Sequence, residues 1–327
     1  MLILSKQDMQ EILTVKDAIS SVKQAYSSYS SGKSVVPLRV NIDIPKHNGQ
    51  SLFMPGYVED LDIAGVKIVS VFPENIEKGM ASVLAKMILI DGETGEVCCM
   101  MDGTYLTQLR TGAASGAATD LLARPDAQSM VLFGTGGQAA AQLESVLAVR
   151  NIKNVKVVGL NRDKALEFSN KMQKELQRYG ANITVCDDVD TAVREADVIT
   201  VVTTSKKPVF DGRKVKKGAH INGVGSYTPE MQELDEYIIQ KAGKVFVDSR
   251  DAVLSEAGDL IIPMEKGLIG IDRITGELGE VIAGRLPGRT NIDEITIFKT
   301  VGIAVTDIVT ANSIYKKALE KGLGMSI

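Results

Sequence analysis

The chain has 327 residues, of which 44% are hydrophobic and 24% charged, and its formal net charge is −4. This length suits two domains, and the composition is that of an ordinary globular protein. The slight negative charge argues against a nucleic-acid partner, and no apolar run reaches the length of a membrane span. The first residues lack the pattern of a secretory signal, so we expect a cytoplasmic protein.

Cysteine and histidine are scarce, with Cys98, Cys99, Cys186, His47 and His220 as the full set. Adjacent cysteines rarely bridge each other and their number is odd, which favours reduced thiols. The scattered positions show no metal-ligand spacing, so no metal site is predicted. The same scarcity argues against a hydrolase of the Ser-His-Asp or Cys-His type.

The first third of the chain predicts a helix followed by strands. Thr14 and Asp17 have the spacing of a capping box, and apolar residues then recur at helical spacing up to a stop near Gly32. Residues 38–44 alternate between apolar and polar, which predicts a half-buried strand. Further strands are expected at residues 51–58, 63–72, 83–90 and 96–101. Together these segments predict a mostly antiparallel α+β unit.

A helix rich in small residues is predicted from Thr104 onward. Gly112, Ala113, Gly116 and Ala117 give this helix a smooth face. Because a helical glycine costs about 1 kcal/mol relative to alanine, close packing against the sheet is the favoured explanation. Direct contact with a ligand is the alternative.

The middle of the chain alternates between strand and helix patterns. Strands are expected at residues 129–133, 155–160, 183–185, 198–203, 219–223 and 245–248, and a helix fits residues 163–179. Such alternation predicts α/β architecture with a doubly wound parallel sheet. A last helix, residues 300–319, follows an irregular stretch and could fold back onto the first domain.

A glycine-rich turn follows the first strand of this parallel sheet. Residues 134–139 read GTGGQA, which fits the G-x-G-x-x-A pattern between a strand and a helix. Gly134 permits the tight turn, Gly136 lets the backbone approach a pyrophosphate, and Ala139 allows close helix packing. Since strand, helix and second strand are all in place, the motif predicts a Rossmann dinucleotide site. The alternative is a glycine-rich turn without a ligand.

The end of the second strand indicates which dinucleotide is preferred. An acidic residue there would bind the ribose 2′-hydroxyl of NAD, but the chain has Asn161 and Arg162. Arg162 could pair with a 2′-phosphate, so NADP(H) is the preferred cofactor and NAD(H) is possible. Alternatively, Arg162 is a solvated residue at a helix start, and Asp163 could neutralise it.

Three basic residues of the first domain suit an anionic substrate. Arg39 lies on the polar face of its strand, and Arg110 lies in the small-residue helix. Lys67 sits in an otherwise apolar strand, where burial would lower its pKa and make it a candidate proton donor or base. The alternatives are a solvent-facing edge-strand position for Lys67 and a structural salt bridge for Arg110.

Over nearly its whole length, the sequence resembles the ornithine cyclodeaminase/mu-crystallin family. Besides the basic residues and the glycine turn, LTQLRTGAASGAAT from Leu106, ADVITVVTT from Ala196 and HINGVGSYTPEMQELD from His220 carry the resemblance. The segments LSEAGDL from Leu254 and FKTVGIAVTD from Phe298 add to it. The resemblance implies activities on small amino or imino acids: cyclodeamination of ornithine or lysine, alanine dehydrogenation and reduction of cyclic ketimines.

The family resemblance also implies a homodimer with two domains per chain. Residues 1–118 and 300–327 would form the substrate-binding and dimerisation domain, and residues 119–299 the Rossmann domain. Arg39 would bind the substrate carboxylate, Lys67 would be catalytic, and Arg110 would lie beside substrate and cofactor. The turn motif, the end of the second strand and the resemblance together give the expected cofactor-binding residues: Ser82, Arg110, Thr111, Gly134, Thr135, Gly136, Gly137, Gln138, Asn161, Arg162, Thr203, Val224 and Thr300.

One position departs from the cyclodeaminase pattern. The cyclodeaminases and related alanine dehydrogenases carry an aspartate that assists amine deprotonation, whereas Tyr227 stands at that position here, with no carboxylate before Glu230. Mu-crystallin, a ketimine reductase, also lacks this aspartate. The sequence therefore favours an NADPH-linked reductase of cyclic imino acids such as pyrroline-2-carboxylate or piperideine-2-carboxylate. Ornithine cyclodeaminase, an amino-acid dehydrogenase and a non-catalytic binding protein for NADPH and a small carboxylate are the alternatives.

Overall fold

The computed structural model describes residues 1–327, which form two compact units. The first unit combines residues 1–110 with residues 303–327, and the second comprises residues 111–302. Both ends of the chain therefore contribute to the same unit. No helix in either unit combines the length and apolar character that crossing a membrane requires.

The elements up to residue 122 are mostly strands. In chain order they are β1 Leu2–Leu4, α1 Lys6–Ile12, α2 Val15–Ser30, β2 Ser34–Val35, β3 Val40–Ile44, β4 Gly49–Val58, β5 Ile63–Val71, β6 Val83–Asp91, β7 Val97–Asp102 and α3 Gly103–Leu122.

The remaining elements alternate between strand and helix. They are β8 Ser129–Phe133, α4 Ala139–Val149, β9 Asn154–Val158, α5 Arg162–Glu175, β10 Asn182–Val185, α6 Val189–Glu195, β11 Val198–Val201, β12 His220–Gly223, α7 Glu236–Lys241, β13 Lys244–Val247, α8 Arg250–Glu256, α9 Gly258–Glu265, β14 Gly276–Glu277, α10 Leu278–Ile282, β15 Thr296–Lys299, α11 Ala304–Lys321 and β16 Met325–Ser326.

The sheet of the first unit has the order β16-β1-β7-β6-β5-β4-β2, with β3 paired to β4. Its strands are antiparallel apart from the β1–β7 pair, so the predicted α+β unit is confirmed. Helix α11 packs on β4 and β5 and against α2. Gly56 of β4 makes this approach possible, because a Cβ there would lie 2.9 Å from Cδ1 of Ile308 on α11.

The sheet of the second unit is entirely parallel, with the order β10-β9-β8-β11-β12-β15-β13-β14. The chain runs outward from β8 to β10 and then crosses to β11 on the other side of β8. This reversal is the topological switch point of a Rossmann fold, where ligands bind beyond the carboxyl ends of the strands. The predicted doubly wound domain is therefore confirmed.

Several details differ from the sequence-based expectation. Strand β3 is exposed rather than half-buried, since Val40 and Ile42 keep 55% and 50% of their surface accessible. Strand β15 was not expected, because its four residues follow a long irregular stretch. Helix α3 packs closely, as expected, but Gly112 itself meets a helix, since a Cβ on it would collide with the Ala141 carbonyl of α4. Contacts with the sheet lie further along α3, where Asn222 of β12 donates to Thr119 Oγ1 and Thr296 of β15 donates to the Leu122 carbonyl.

Candidate active site

Lys67 lies in the middle of the first unit's sheet, on the face that α11 covers. Strand β5 is paired on both sides, with β4 and β6, so the edge-strand alternative is wrong. The inward-facing residues of β5 alternate with half-buried ones, and Lys67 takes an inward position with only 1% of its surface accessible. A lysine in this place requires a charged partner.

Asp307 of α11 is that partner. Lys67 Nζ donates to both carboxylate oxygens, at 2.9 Å to Oδ1 and 2.8 Å to Oδ2. Arg110 of α3 donates from Nε to Oδ1 at 2.9 Å. All three side chains are buried, so one carboxylate holds two cations out of contact with water.

The ionisation of this triad follows from burial and charge. Burial, Arg110 and Arg39 lower the pKa of Lys67, Asp307 opposes them, and the net result is a pKa of about 7. Burial would raise the pKa of Asp307, but the charges of Arg110 and Lys67 outweigh it and keep that pKa below its usual value. Near neutral pH, Asp307 is thus ionised while Lys67 populates both the ammonium and the amine form.

The structure therefore joins two of the three cations singled out in the sequence, Lys67 and Arg110, through one carboxylate. Arg110 forms a salt bridge, which was one of the two roles expected for it. Its partner, Asp307, also pairs with Lys67. Arg110 uses Nε for its ion pair with Asp307. The two terminal nitrogens of a guanidinium are the ones that can bind a second carboxylate in a bidentate manner. Arg39 is partly exposed, just before β3 rather than within it, and its charge acts on Lys67.

The glycine-rich turn has the geometry that a pyrophosphate requires. Gly134 adopts φ +107°, and its missing side chain would otherwise lie 2.5 Å from the Val202 carbonyl. Gly136 has open space where a Cβ would be, so its backbone is accessible. Gln138 precedes α4 without a capping side chain, which leaves backbone donors at the start of this helix for an anion. These residues fit a dinucleotide.

Asn161 and Arg162 lie at the end of β9, as expected, but both have partners within the protein. Asn161 caps α5 by accepting from Lys164 N at 2.9 Å. Arg162 pairs with Asp187, at 2.7 Å between Nη2 and Oδ1, rather than with Asp163. Both side chains of the pair are largely exposed, at 69% and 77%, so the ion pair is weak and its arginine can exchange partners.

Other predicted cofactor residues share one edge of the parallel sheet. Thr203 follows β11, Val224 follows β12 and Thr300 follows β15, next to the turn after β8. Thr111 lies within α3. Ser82 belongs to the first unit, just before β6, where its carbonyl accepts from Phe72 N at 2.8 Å.

Asp307 was missed in the sequence, although a signal was present. It is a lone carboxylate in the otherwise apolar or small run GIAVTDIVTA of the last helix. A buried acid in such a run needs a cation, and Lys67 is the corresponding lone cation of an apolar strand. The two positions are 240 residues apart, so only the fold pairs them.

Comparison with known proteins decides the family. The model of the ornithine cyclodeaminase/mu-crystallin family matches residues 1–322. The chain belongs to this family. Its membership confirms the resemblance seen in the basic residues and the glycine turn.

Individual relatives of the ornithine cyclodeaminase/mu-crystallin family resemble the chain over its full length. A Δ1-pyrroline-2-carboxylate reductase of Bacillus cereus is 39% identical, covering 100% of this chain and 99% of the relative. The structure of Thermococcus litoralis Δ1-pyrroline-2-carboxylate reductase with NADH and L-proline is 43% identical, with a TM-score of 0.95 and full coverage of both chains. An archaeal alanine dehydrogenase dimer with bound NAD is 35% identical, with a TM-score of 0.91 and coverage of 100% and 98%.

Proposed function

We propose that this protein is a reductase that converts a cyclic imino acid of the Δ1-pyrroline-2-carboxylate type to the cyclic amino acid with NAD(P)H. The observation that carries the proposal is the buried Lys67–Asp307–Arg110 triad, which offers a titratable proton next to a carboxylate-binding arginine. The similarity to two reductases of this substrate supports it.

The substrate carboxylate would bind to Arg39 and to the terminal nitrogens of Arg110. Asp307 pairs with both Lys67 and Arg110, and the charge of Arg39 also acts on Lys67, so positive charge is concentrated around the proposed carboxylate position. Since Arg110 is nine-tenths buried or more, its pairing with a carboxylate would be little screened by solvent. This arrangement selects an acid with its imine nitrogen close to the carboxylate.

Lys67 would manage the proton of the reaction. When bound, the nicotinamide cofactor supplies the hydride that reduces the imine carbon. The C=N double bond becomes a single bond, and the nitrogen takes up the proton that Lys67 donates from Nζ. Because the pKa of Lys67 is lowered to about 7, the ammonium can release this proton near neutral pH. Asp307 would hold the Lys67 ammonium in place, and its charge would favour reprotonation of the Lys67 amine after the reaction.

Cyclodeamination is less well supported by the loop after β12. By the family resemblance, Tyr227 in this loop stands where the cyclodeaminases carry an aspartate. Glu233 is a buried carboxylate within this loop, but both of its oxygens accept backbone N–H groups, from Thr203 and Ser226. A carboxylate engaged in this way is not a free base for an amine. A preformed imine does not need such a base.

The assay that tests the proposal follows NADH and NADPH oxidation with pyrroline-2-carboxylate, piperideine-2-carboxylate, and pyruvate with ammonia, while ornithine is incubated with NAD⁺ in parallel. We expect oxidation with the cyclic imines and formation of proline or pipecolate. Conversion of ornithine to proline and ammonia without imine-dependent oxidation would identify a cyclodeaminase. Cofactor binding with no turnover of any substrate would identify a binding protein.

For the cofactor, we propose a preference for NADPH over NADH that depends on Arg162. Replacing Arg162 with alanine should raise the KM for NADPH by about 10- to 150-fold, because a charge-assisted phosphate contact contributes about 1.5–3 kcal/mol. The KM for NADH should hardly change. Asp187→Asn is the matched variant: it frees Arg162 from its ion pair and should lower the KM for NADPH. Equal effects of Arg162→Ala on both cofactors would refute this role.

We also propose that two copies of the chain associate through the first unit, which then serves as the substrate-binding and dimerisation domain, with the second unit as the cofactor domain. Strand β3 pairs only with β4 and exposes Val40 and Ile42 at an open sheet edge. An exposed apolar edge strand is a template for pairing with another chain. Replacing both residues with lysine should convert a dimer into a monomer in light scattering, whereas Leu166→Lys, at a comparably exposed leucine of α5, should not. A dimer that persists in the double variant would exclude this interface.

A further inference from the structure

Three buried charged side chains of the second unit have no part in the proton chemistry above. Glu233, Asp259 and Lys299 are each fully buried. Lys299 Nζ faces Asp259 Oδ2 at 3.0 Å as an ion pair. Asp259 Oδ1 accepts from the backbone N–H groups of Glu233 at 2.6 Å and Leu234 at 2.9 Å. Burying three charges is costly, so this cluster needs a compensating role in structure or function.

Glu233 lies in the loop after β12 and connects it to the loop after β11, at the carboxyl edge of the parallel sheet. Its Oε1 accepts from Thr203 N, in the loop after β11, at 2.5 Å. Its Oε2 accepts from Ser226 N, in the loop after β12, at 2.8 Å. Gly225 brings the two loops together, because a Cβ on it would lie 2.5 Å from both Thr203 N and Glu233 Oε1. One carboxylate thereby sets the distance between the two loops.

The remaining members of the cluster fix the position of Glu233. Asp259 holds the backbone of Glu233, and the Asp259 N–H contacts Ser226 Oγ at 3.4 Å. Lys299 is the last residue of β15 and ties Asp259 to a third strand. The loop after β15 begins with Thr300, whose N–H donates to the Gly223 carbonyl at 3.0 Å. The cluster therefore spans the carboxyl ends of three adjacent strands, β11, β12 and β15.

We propose that Glu233, held by Asp259 and Lys299, is a positioning residue that shapes the dinucleotide site by clamping the Thr203 and Ser226 loops. This inference rests on the proposed use of NAD(P)H at the carboxyl edge of the sheet, where Thr203, Val224 and Thr300 are expected to line the cofactor. Glu233 does not touch the reacting atoms. Its side chain holds the backbone of Thr203, an expected cofactor residue, and of Ser226, two residues after Val224.

The test measures NADH affinity by fluorescence titration for the wild type and for Glu233→Gln. Glutamine keeps the size of the side chain but can accept only one of the two N–H groups, and its amide NH2 opposes the other. We expect the Kd for NADH to rise about 10-fold or more, with the KM for NADH rising in parallel. The KM for the imine should stay nearly constant, since Arg39 and Arg110 belong to the other unit.

Asp197→Asn is the matched control. Asp197 is also a buried carboxylate that accepts two backbone N–H groups, from Gln128 and Ser129, and pairs with a lysine, Lys216. It lies just before β11, at the amino edge of the same sheet. We expect this variant to lose thermal stability while its Kd for NADH stays within about twofold of the wild type, as for an effect below 0.5 kcal/mol.

If Glu233→Gln fails to fold, Glu233→Asp takes its place, because it keeps the charge but is too short to reach both loops. A raised Kd in that variant supports the clamp. An unchanged Kd in a folded Glu233 variant that has lost stability would overturn the proposal and leave the cluster with a structural role only. Absence of NADH binding by the wild type would instead refute the proposed function itself.

Discussion

Replacing Lys67 with methionine should lower kcat for imine reduction by about 10²–10⁴-fold, the usual contribution of a positioned proton donor. Methionine keeps much of the side-chain volume and fits the apolar neighbours of β5, but it cannot carry a proton. Asp307 would keep Arg110 as its counterion, so the buried carboxylate is not left alone. The Kd for NADH should hardly change, because the glycine turn belongs to the other unit.

Lys67→Arg separates charge from proton transfer. It preserves a cation next to Asp307, but a guanidinium does not release a proton near neutral pH, so activity should not return. Circular dichroism and thermal melting serve as folding controls for both variants. A folded Lys67→Met protein with near-normal kcat would show that Lys67 only balances charge. Tyr227 or a bound water would then be the next candidates for the donor.

Replacing Asp307 with asparagine should change both stability and the pH profile. Removing one partner of a buried ion pair typically costs about 3–5 kcal/mol, and here two cations would face each other unpaired. The charge of Asp307 raises the pKa of Lys67, so its loss should lower that pKa below about 7. The melting temperature should therefore fall, and less Lys67 should be protonated at neutral pH.

The sign of the pH effect distinguishes positioning from mere stabilisation. The proton donor is active as the ammonium, so kcat/KM for the imine should decline as pH rises through about 7 in the wild type. In Asp307→Asn this decline should move to lower pH. The imine titrates identically with both proteins, so only the difference between them reports on the enzyme. An unshifted profile in a destabilised variant would make Asp307 a purely structural residue.

The sequence was most informative where local pattern and chemistry coincide. The glycine turn of residues 134–139 was recognisable because its motif lies between a strand pattern and a helix pattern. The structure confirms both the strand and the helix. Lys67 stood out because a lysine is costly in an apolar strand. The pattern could not tell whether Lys67 lies on an edge strand or on a central one. The structure shows that it lies on a central strand, because β5 pairs with β4 and with β6.

The parts that could not be predicted depend on long-range pairing. Asp307 and Lys67 meet because α11 returns to a sheet formed some 240 residues earlier in the chain. Asp187 reaches Arg162 because β10 pairs beside β9, whereas local reading had offered Asp163 as the neutralising partner. Exposure of Val40 and Ile42 also escaped prediction, since alternation alone does not tell whether a strand lies at an open edge.

Hydride transfer from the cofactor to the imine carbon is tested most directly with NADH that carries two deuterium atoms at C4 of the nicotinamide. The protein is incubated with this cofactor and Δ1-pyrroline-2-carboxylate, and the proline formed is examined by mass spectrometry and NMR. We expect one deuterium at Cα of proline for each NADH oxidised. Proline formed without deuterium at Cα, or no oxidation of NADH by the imine while ornithine is consumed, would contradict it.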